Sequence, residues 1–409
     1  MARRINIYTN TQRAGTLAKE GEKHIFTYTP EAITPISVTM PIRTESWGSL
    51  HLHPIFEMNL PEGALKETIR ERFAKVKQMD DLGLLELIGP HVIGRVKYGL
   101  PANDEEPITL DEILHDDTHV LFEKLMDRFA IRSGVSGVQP KILLQIDNKN
   151  TLTTEEYIVK SWGDEYPELA FNEFFCMEAV RQAGLPTPEF KLSKNRSMFI
   201  MKRFDLKDDG NYLGFEDGCV LLGKGTNEKY HASYEDLAKV LRASTSAESR
   251  LENLRTLFKA LVINHMLRNG DAHLKNFAIL YDEDYTDAAM APIYDVVCTT
   301  VYLNEDLPAL SMSGGKIWWK KKTYIGFGKQ TCKLSLAEIE EIFDTCAEAT
   351  KSAAKKMLNY AKEHTEISTF ANRMLDEWDK GLESLGFDQI NRKLDSNSIS
   401  NCVNTLEGI

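Results

Sequence analysis

The stretch "RNGDAHLKNFAIL", residues Arg268 to Leu280, concentrates polar side chains immediately before an apolar run. An acid at Asp271 is followed by a histidine, a lysine and finally an amide at Asn276. A turn between two elements favours a Gly or an Asn, and Asn269 and Gly270 supply both before the acid is reached. The remaining polar groups exceed what the turn needs, which makes them candidates for a functional site.

The acid and the amide of this stretch follow the pattern D-x-x-x-x-N. In the catalytic loop of protein kinases, an acid at this position accepts the proton of the substrate hydroxyl, and the amide five residues later binds Mg²⁺. A solvated turn at the end of a helix would also use an Asp and an Asn. The spacing alone therefore leaves both interpretations open.

A second acid, Asp295, lies inside the apolar run "APIYDVVCTT" (291–300). A buried carboxylate is costly without a partner, and a Mg²⁺ ion on nucleotide phosphates is one such partner. A backbone N–H at the end of a strand is the alternative. Upstream, Lys160 in "YIVKSW" resembles the strand lysine of kinases that pairs with phosphates, and Glu173 in "FNEFF" could orient it. The alternative is a lysine facing water and an exposed helical glutamate.

Two further stretches complete an ordered series. In "RSGVSGVQPKILL" (132–144), Gly134 and Gly137 free backbone N–H groups to approach phosphate, although such a loop is also an ordinary turn. "MKRFD" (201–205) ends a β-rich part of the chain, where a hinge would meet adenine. Gly-rich loop, strand lysine, helical glutamate, hinge, acid with amide, and second acid occur in the order found in a kinase.

The pattern of the whole chain predicts an α+β, two-lobed protein-kinase-like fold. Residues 1–125 form a β-rich N-terminal subdomain that opens with a hairpin or meander, and residues 126–205 form an N-lobe of strands around one helix. Residues 206–409 form a mainly helical C-lobe that carries the predicted catalytic loop. Its helix over "LENLRTLFKALVINHMLRNG" (251–270) shows apolar residues at helical spacing, and we expect Gly270 to end it.

Composition limits the partners and the location. The 409 residues include 61 acids against 49 Lys and Arg, and the net charge of −12 disfavours direct binding to nucleic acid. The six cysteines lack metal-ligand spacing and are typical of free thiols in a reducing compartment. We find neither a signal peptide nor 18 consecutive apolar residues, so we expect a cytoplasmic protein without a membrane span.

Several motifs together resemble the HipA family of bacterial serine/threonine-protein kinase toxins. They are "SGVQPK", "YIVK", "NGDAHLKNF" and "PIYDV", preceded by "ISVTMPIR" (36–43) and "FEMNLPEG" (56–63). The resemblance covers about residues 3–300 and implies an ATP- and Mg²⁺-dependent kinase with a HipA-like N-terminal subdomain. Ordinary kinases carry His-Arg before the catalytic acid, whereas His273 follows it here, as in HipA proteins.

The resemblance also implies roles for individual residues. Asp271 matches the catalytic base, and Asn276 and Asp295 match the metal ligands. Nucleotide contacts are implied for Ser136, Gly137, Val138, Gln139, Pro140, Lys141, Lys160, Lys202, Arg203, Phe204, His273, Leu274, Lys275, Asn276, Tyr294 and Asp295.

Regulation and partners follow from the same resemblance. HipA kinases inactivate themselves by phosphorylating a serine of the Gly-rich loop; the aligned position here is Gly134, so the flanking Ser133 and Ser136 are both candidates for autophosphorylation. The family implies a role in persistence, a HipB-like helix-turn-helix antitoxin, and contact with operator DNA mainly through that antitoxin. Its familiar protein substrates are aminoacyl-tRNA synthetases, above all glutamyl-tRNA synthetase.

Two other functions compete with a kinase toxin. One is a catalytically silent HipA-like corepressor that works with the antitoxin, and the other is a kinase for a lipid or small molecule. The sequence argues against the first because no metal or phosphate position is visibly missing, and against the second because no membrane-binding helix is evident.

Overall fold

The computed structural model describes residues 3–62, 80–89, 91–99, 109–115, 121, 141–148, 153–162 and 165–392. The chain begins with an antiparallel meander of β1 (Arg3–Thr9), β2 (Gln12–Glu20) and β3 (Lys23–Tyr28). With β4 (Trp47–Ser49) and β5 (Val96–Lys97) these strands form a five-stranded sheet in the order β4-β3-β2-β1-β5. Of the two predicted alternatives, a hairpin or a meander, the structure has the meander.

The meander forms because apolar and polar residues alternate along β1. Ile5 and Ile7 point into the core, while Arg4 and Asn6 beside them face outward, as the two-residue period of a strand requires. Three short helices accompany the described part of this region: α1 (Pro54–Glu57), α2 (Asp81–Ile88) and α3 (Leu110–Leu114). The apolar residues of α2 pack into the same core as the sheet.

The N-lobe contains a second antiparallel sheet, in the order β6-β7-β9-β8. Its strands are β6 (Lys141–Asn148), β7 (Thr153–Ser161), β8 (Phe190–Leu192) and β9 (Met198–Lys202). The helix α4 (Leu169–Gln182) lies between β7 and β8 in the chain and ends before Gly184, which has a φ of +71°. The strands and the helix predicted for this stretch are confirmed.

The C-lobe is mainly helical. Its helices are α5 (Gly218–Leu221), α6 (Tyr234–Ser244), α7 (Arg250–Met266), α8 (Lys321–Gln330), α9 (Leu336–Glu363) and α10 (Ser368–Ser384). A small sheet of β10 (Gly214–Asp217), β11 (Ala278–Tyr281) and β12 (Ala289–Met290) lies beside them. Short 3₁₀ turns occupy Thr226–Glu228, Leu274–Asn276, Thr299–Val301 and Thr365–Ile367. This mixture of sheets and helices matches the predicted α+β class.

The end of α7 differs from the prediction. The helix ends at Met266, and Arg268 takes the left-handed conformation with a φ of +58°, so the expected stop at Gly270 was wrong. Gly270 is needed for another reason, since a Cβ atom there would lie 2.1 Å from Asp306 Oδ2 and 2.9 Å from the Leu307 carbonyl oxygen. The glycine lets the loop after α7 pass close to the 306–307 segment.

The sequence also predicted two boundaries between subdomains. The predicted boundary near residue 125 lies outside the described residues, and the one at 205 stays a prediction. Within the described ranges, no helix is both long and apolar enough to cross a bilayer. The five cysteines of those ranges are buried free thiols, and Cys402 lies outside them.

Candidate active site

A cavity of about 900 Å³ lies between the N-lobe sheet and the C-lobe. The N-lobe contributes Ile158, Lys160 and Met201 to its wall, and the C-lobe contributes the loops around residues 270 and 295. Nine of the sequence-predicted site residues line it: Lys160, Glu173, Phe204, Asp271, His273, Lys275, Asn276, Tyr294 and Asp295. A cleft of this size with a few converging polar groups is typical of a small-molecule site.

Lys160 connects three separate elements inside this cavity. Its ammonium, on β7, donates to Glu173 of α4 and to Asp295 in the segment after β12. Lys160 and Glu173 are both fully buried, whereas the side chain of Asp295 is 25% exposed toward the cavity. Although burial opposes the charge on Lys160, the two carboxylates raise its pKa, so the lysine stays protonated. The predicted lysine–glutamate pair is present.

Asp295 is held in an unusual backbone conformation. Its φ is +57°, in the left-handed region that only a few per cent of non-glycine residues adopt, Asp and Asn more often than most. Residues held in such conformations are concentrated at functional sites, where the surrounding structure imposes them. Here the conformation occurs at the residue whose carboxylate meets Lys160.

Asp271 presents its carboxylate to the cavity from the loop after α7. Tyr230 Oη donates to Asp271 Oδ1 at 2.8 Å, and the Asp271 backbone N–H donates to Asn269 Oδ1 at 3.0 Å. The side chain is 48% exposed and lines the cavity. The enclosing walls raise the pKa of Asp271 to about 6, against the opposing effect of the Tyr230 hydrogen bond. A carboxyl with this pKa is ionised at neutral pH and still accepts a proton readily.

His273 precedes and Asn276 ends the short 3₁₀ turn that follows the acid. The His273 backbone N–H donates to Asn276 Oδ1 at 3.0 Å, which fixes the amide while leaving its second lone pair available. Burial, together with Lys229 and Lys275, lowers the pKa of His273 to about 3, so the imidazole is neutral. Its Nδ1 is buried and has no hydrogen-bond partner among the described residues, so a bound ligand could supply one.

The oxygen donors of the site fit a magnesium ion. Asn276 and Asp295 line the same cavity, and amide and carboxylate oxygens are ligands that Mg²⁺ accepts. In the part of the chain that the structure describes, no three His, Cys, Asp or Glu side chains cluster as a metal cage. Mg²⁺ is commonly held by one or two protein oxygens, with phosphates and water completing its shell.

The aromatic wall of the cavity lies at the end of β9. The rings of Phe204 and Tyr294 stack with centroids 5.6 Å apart and an interplanar angle of 25°. Both residues line the cavity, and both are positions at which the sequence predicted nucleotide contacts.

The remaining residues for which nucleotide contacts were predicted are not among the described residues that line the cavity. The side chains of Lys202, Arg203 and Leu274 do not line the cavity. The Arg203 guanidinium is buried against Glu156 and Asp205, so a nucleotide contact by Arg203 would have to use its backbone. Ser133, Ser136, Gly137, Val138, Gln139 and Pro140 lie outside the described residues. Lys141 is described only as the first residue of β6.

Among the lining residues that the sequence did not single out, Glu62, Lys229 and Tyr230 contact the predicted site residues. Glu62 Oε1 meets Lys275 Nζ at 2.5 Å, and Glu62 Oε2 meets Lys229 Nζ at 3.1 Å. Although burial opposes ionisation, Lys275 and Lys229 hold the pKa of Glu62 below its usual value. Glu62 lies in "FEMNLPEG", one of the motifs on which the resemblance rests, but nothing in that motif indicated contact with the predicted catalytic loop.

Comparison with protein families gives two matches along the chain. Residues 5–99 match the HipA N-terminal domain, and residues 133–354 match the HipA-like C-terminal domain. Among curated proteins, the chain is 29% identical over 287 residues to "Putative kinase Y4dM" of Sinorhizobium fredii, an alignment covering 64% of this chain and 66% of that protein. It is 28% identical over 314 residues to "Putative kinase Y4mE" of the same organism, covering 70% and 73%. The aligned region thus spans just under two thirds of the first relative.

A solved structure shares the fold. A chain of the Shewanella oneidensis MR-1 toxin–antitoxin complex of HipA, HipB and operator DNA superposes with a TM-score of 0.69. The alignment covers 92% of this chain and 97% of that chain at 18% sequence identity. The predicted two-lobed, kinase-like architecture with a β-rich N-terminal subdomain is confirmed.

Proposed function

Because the chain belongs to the HipA family, we propose that this HipA-like kinase is an ATP- and Mg²⁺-dependent serine/threonine-protein kinase and the toxin of a type II toxin–antitoxin system. The observation that carries the proposal is the convergence of Lys160, Asp271, Asn276 and Asp295 in one cavity. These residues are separated by up to 135 positions in the chain, so local turn or cap formation does not account for their meeting.

The proposed nucleotide site uses the N-lobe and the C-lobe together. Lys160, kept charged by Glu173 and Asp295, would pair with the phosphates. Asn276 and Asp295 would hold Mg²⁺, which when bound neutralises charge on the phosphates. The stacked rings of Phe204 and Tyr294 offer an apolar wall for the base.

Asp271 would act as the base toward a serine or threonine hydroxyl. As the hydroxyl oxygen forms its bond to the γ-phosphorus, the bond to the ADP oxygen breaks and the hydroxyl proton passes to the Asp271 carboxylate. With a pKa of about 6, this carboxylate is mostly ionised at pH 7 before the acceptor arrives.

The partners belong to the same proposal. The Shewanella HipA complex contains HipB and operator DNA. For this chain we extend that assembly to a HipB-like antitoxin, with DNA contacted mainly through it because a net charge of −12 repels the phosphate backbone. An aminoacyl-tRNA synthetase as protein substrate, self-phosphorylation at Ser133 or Ser136, a role in persistence and a cytoplasmic location rest on the family resemblance.

The test compares the wild type with Asp271→Asn, which keeps the side chain's size and an acceptor oxygen for Tyr230. We expect the wild type to transfer labelled phosphate from Mg·ATP to itself or to a synthetase, and the variant to lose transfer while still binding nucleotide. Phosphoproteomics of cells expressing each form would identify the acceptors. Equal labelling by both proteins contradicts the role of Asp271, and a wild type that binds antitoxin but transfers no phosphate supports the silent corepressor instead.

A further inference from the structure

The segment "KYHASY" (229–234) lies across the predicted catalytic loop. The Leu274 backbone N–H donates to the Lys229 carbonyl oxygen at 3.2 Å, and Tyr234 Oη donates to the Ala272 carbonyl oxygen at 3.0 Å. Tyr230 alone of these residues reaches the functional carboxylate, with its Oη 2.8 Å from Asp271 Oδ1. The segment thus makes two contacts with the loop's backbone and one with the proposed base.

We propose that Tyr230 is a positioning residue for phosphoryl transfer, holding Asp271 Oδ1 so that Oδ2 is directed at the acceptor hydroxyl. The inference rests on the proposed kinase function and extends it to a residue outside the recognised motifs. A carboxylate that is fixed through one oxygen loses the freedom to rotate, and the second oxygen keeps the geometry that proton transfer needs.

The surroundings of Asp271 explain why this hydrogen bond matters. Lys229 attracts the carboxylate, whereas the acids Asp306 and Asp295 repel it. His273 Nε2 lies 3.9 Å from Oδ2, but the imidazole is neutral and too distant for a hydrogen bond. Within the described part of the chain, Tyr230 is therefore the group that orients the carboxylate through a hydrogen bond.

Tyr230 is itself held in place without its hydroxyl. Its ring meets the His273 ring edge-on with centroids 5.1 Å apart, and its backbone carbonyl accepts from Lys316 Nζ at 2.9 Å. Tyr230→Phe therefore removes the bond to Asp271 while the ring contacts persist. Tyr230 as a whole is 38% exposed and lines the cavity, so the substitution does not open a core void.

The experiment measures kcat, KM for the protein acceptor and their pH dependence in Tyr230→Phe, with Tyr234→Phe as the matched control. We expect kcat to fall at least about tenfold in Tyr230→Phe with little change in KM. The reason is that the Asp271 carboxylate, which takes the proton, loses the hydrogen bond that orients it. The acid limb of the kcat profile should also move to higher pH, because the lost bond favoured the ionised carboxyl. Tyr234→Phe loses a bond to a backbone carbonyl and should leave that limb in place.

A second readout separates this inference from the proposed function. In protein labelled with ¹³C at the aspartate carboxyls, the Asp271 signal is assigned by its absence in Asp271→Asn, and its titration should shift upward in Tyr230→Phe. If the wild type transfers no phosphate but the titration shifts, the kinase proposal fails while the Tyr230–Asp271 contact stands without a catalytic role. Unchanged kcat and an unchanged acid limb in an active, folded Tyr230→Phe protein overturn the inference.

Discussion

Replacing Glu62 with Gln removes a negative charge that the N-terminal part of the chain places between two lysines of the cavity. Glu62 contacts Lys275 at 2.5 Å and Lys229 at 3.1 Å, and the three side chains are 14%, 8% and 11% exposed. Each ammonium carries three donors, so each keeps others for the phosphates of a nucleotide. Glu62 thus serves as the counter-charge for both lysines, a role that nucleotide phosphates would share under the proposed function.

The size of the effect follows from these exposures. Removing one partner of a buried ion pair costs about 3–5 kcal/mol, because the remaining charge is left in a poor solvent. Gln still offers one acceptor oxygen and the cavity admits water, so we expect the free energy of unfolding to fall by about 2–3 kcal/mol. The affinity for the nucleotide should instead rise. The triphosphate would meet two lysines that no carboxylate neutralises, and about 1.4 kcal/mol of added attraction corresponds to tenfold tighter binding.

Urea unfolding and calorimetric titration with a non-hydrolysable Mg·ATP analogue measure the two quantities. Glu57→Gln is the matched control, because Glu57 Oε1 accepts from the Thr226 backbone N–H at 3.1 Å in the same interface and, among the described residues, pairs with no lysine. We expect this control to lose less than about 1.5 kcal/mol of stability, the value of an ordinary hydrogen bond, and to bind the analogue as the wild type does.

The reasoning is refuted if Glu62→Gln binds the analogue no more tightly than the wild type. It is equally refuted if Glu57→Gln tightens binding as much, since the effect would then come from loosening the interface rather than from charge. A wild type that binds no nucleotide would instead count against the proposed function.

Three other predictions follow from buried or crowded groups. The rate of phosphate transfer should fall on acidification through pH 6, because Asp271, with a pKa of about 6, loses its charge there; a limb near pH 4 in a pH–rate profile would contradict this. Burial raises the pKa of Glu216 from 4.5 to about 7. Between pH 4.5 and 7 the folded chain therefore keeps a proton on Glu216 that the unfolded chain releases. The contribution of this proton to the free energy of unfolding is lost as pH rises from 4.5 through 7. Glu216→Gln should flatten that dependence in urea denaturation at pH 5 and pH 7.5. Gly270→Ala places a Cβ atom 2.1 Å from Asp306 Oδ2, so thermal unfolding should show a loss of about 1–3 kcal/mol together with reduced transfer.

Much of the architecture could be predicted because it depends on local patterns. The alternation around Ile5 and Ile7 predicted a hairpin or meander, and helical spacing predicted α7. The order of Lys160, Asp271, Asn276 and Asp295 predicted one shared cavity, because each residue type suits one step of phosphoryl transfer. Such features are readable since a strand, a helix or a short motif is specified by residues that are neighbours in the chain.

The rest was decided by tertiary packing. Lys275 and Glu62 are 213 positions apart, and Tyr230 lies 41 positions before Asp271, so no local pattern connects them. The left-handed backbone at Arg268 and Asp295 could not be predicted, since neither residue is a glycine. The surrounding contacts impose this conformation. The sequence by itself determined which chemical groups are available and which strands and helices carry them. Only the packed structure determined which charges face each other, since those distances depend on how separate elements meet.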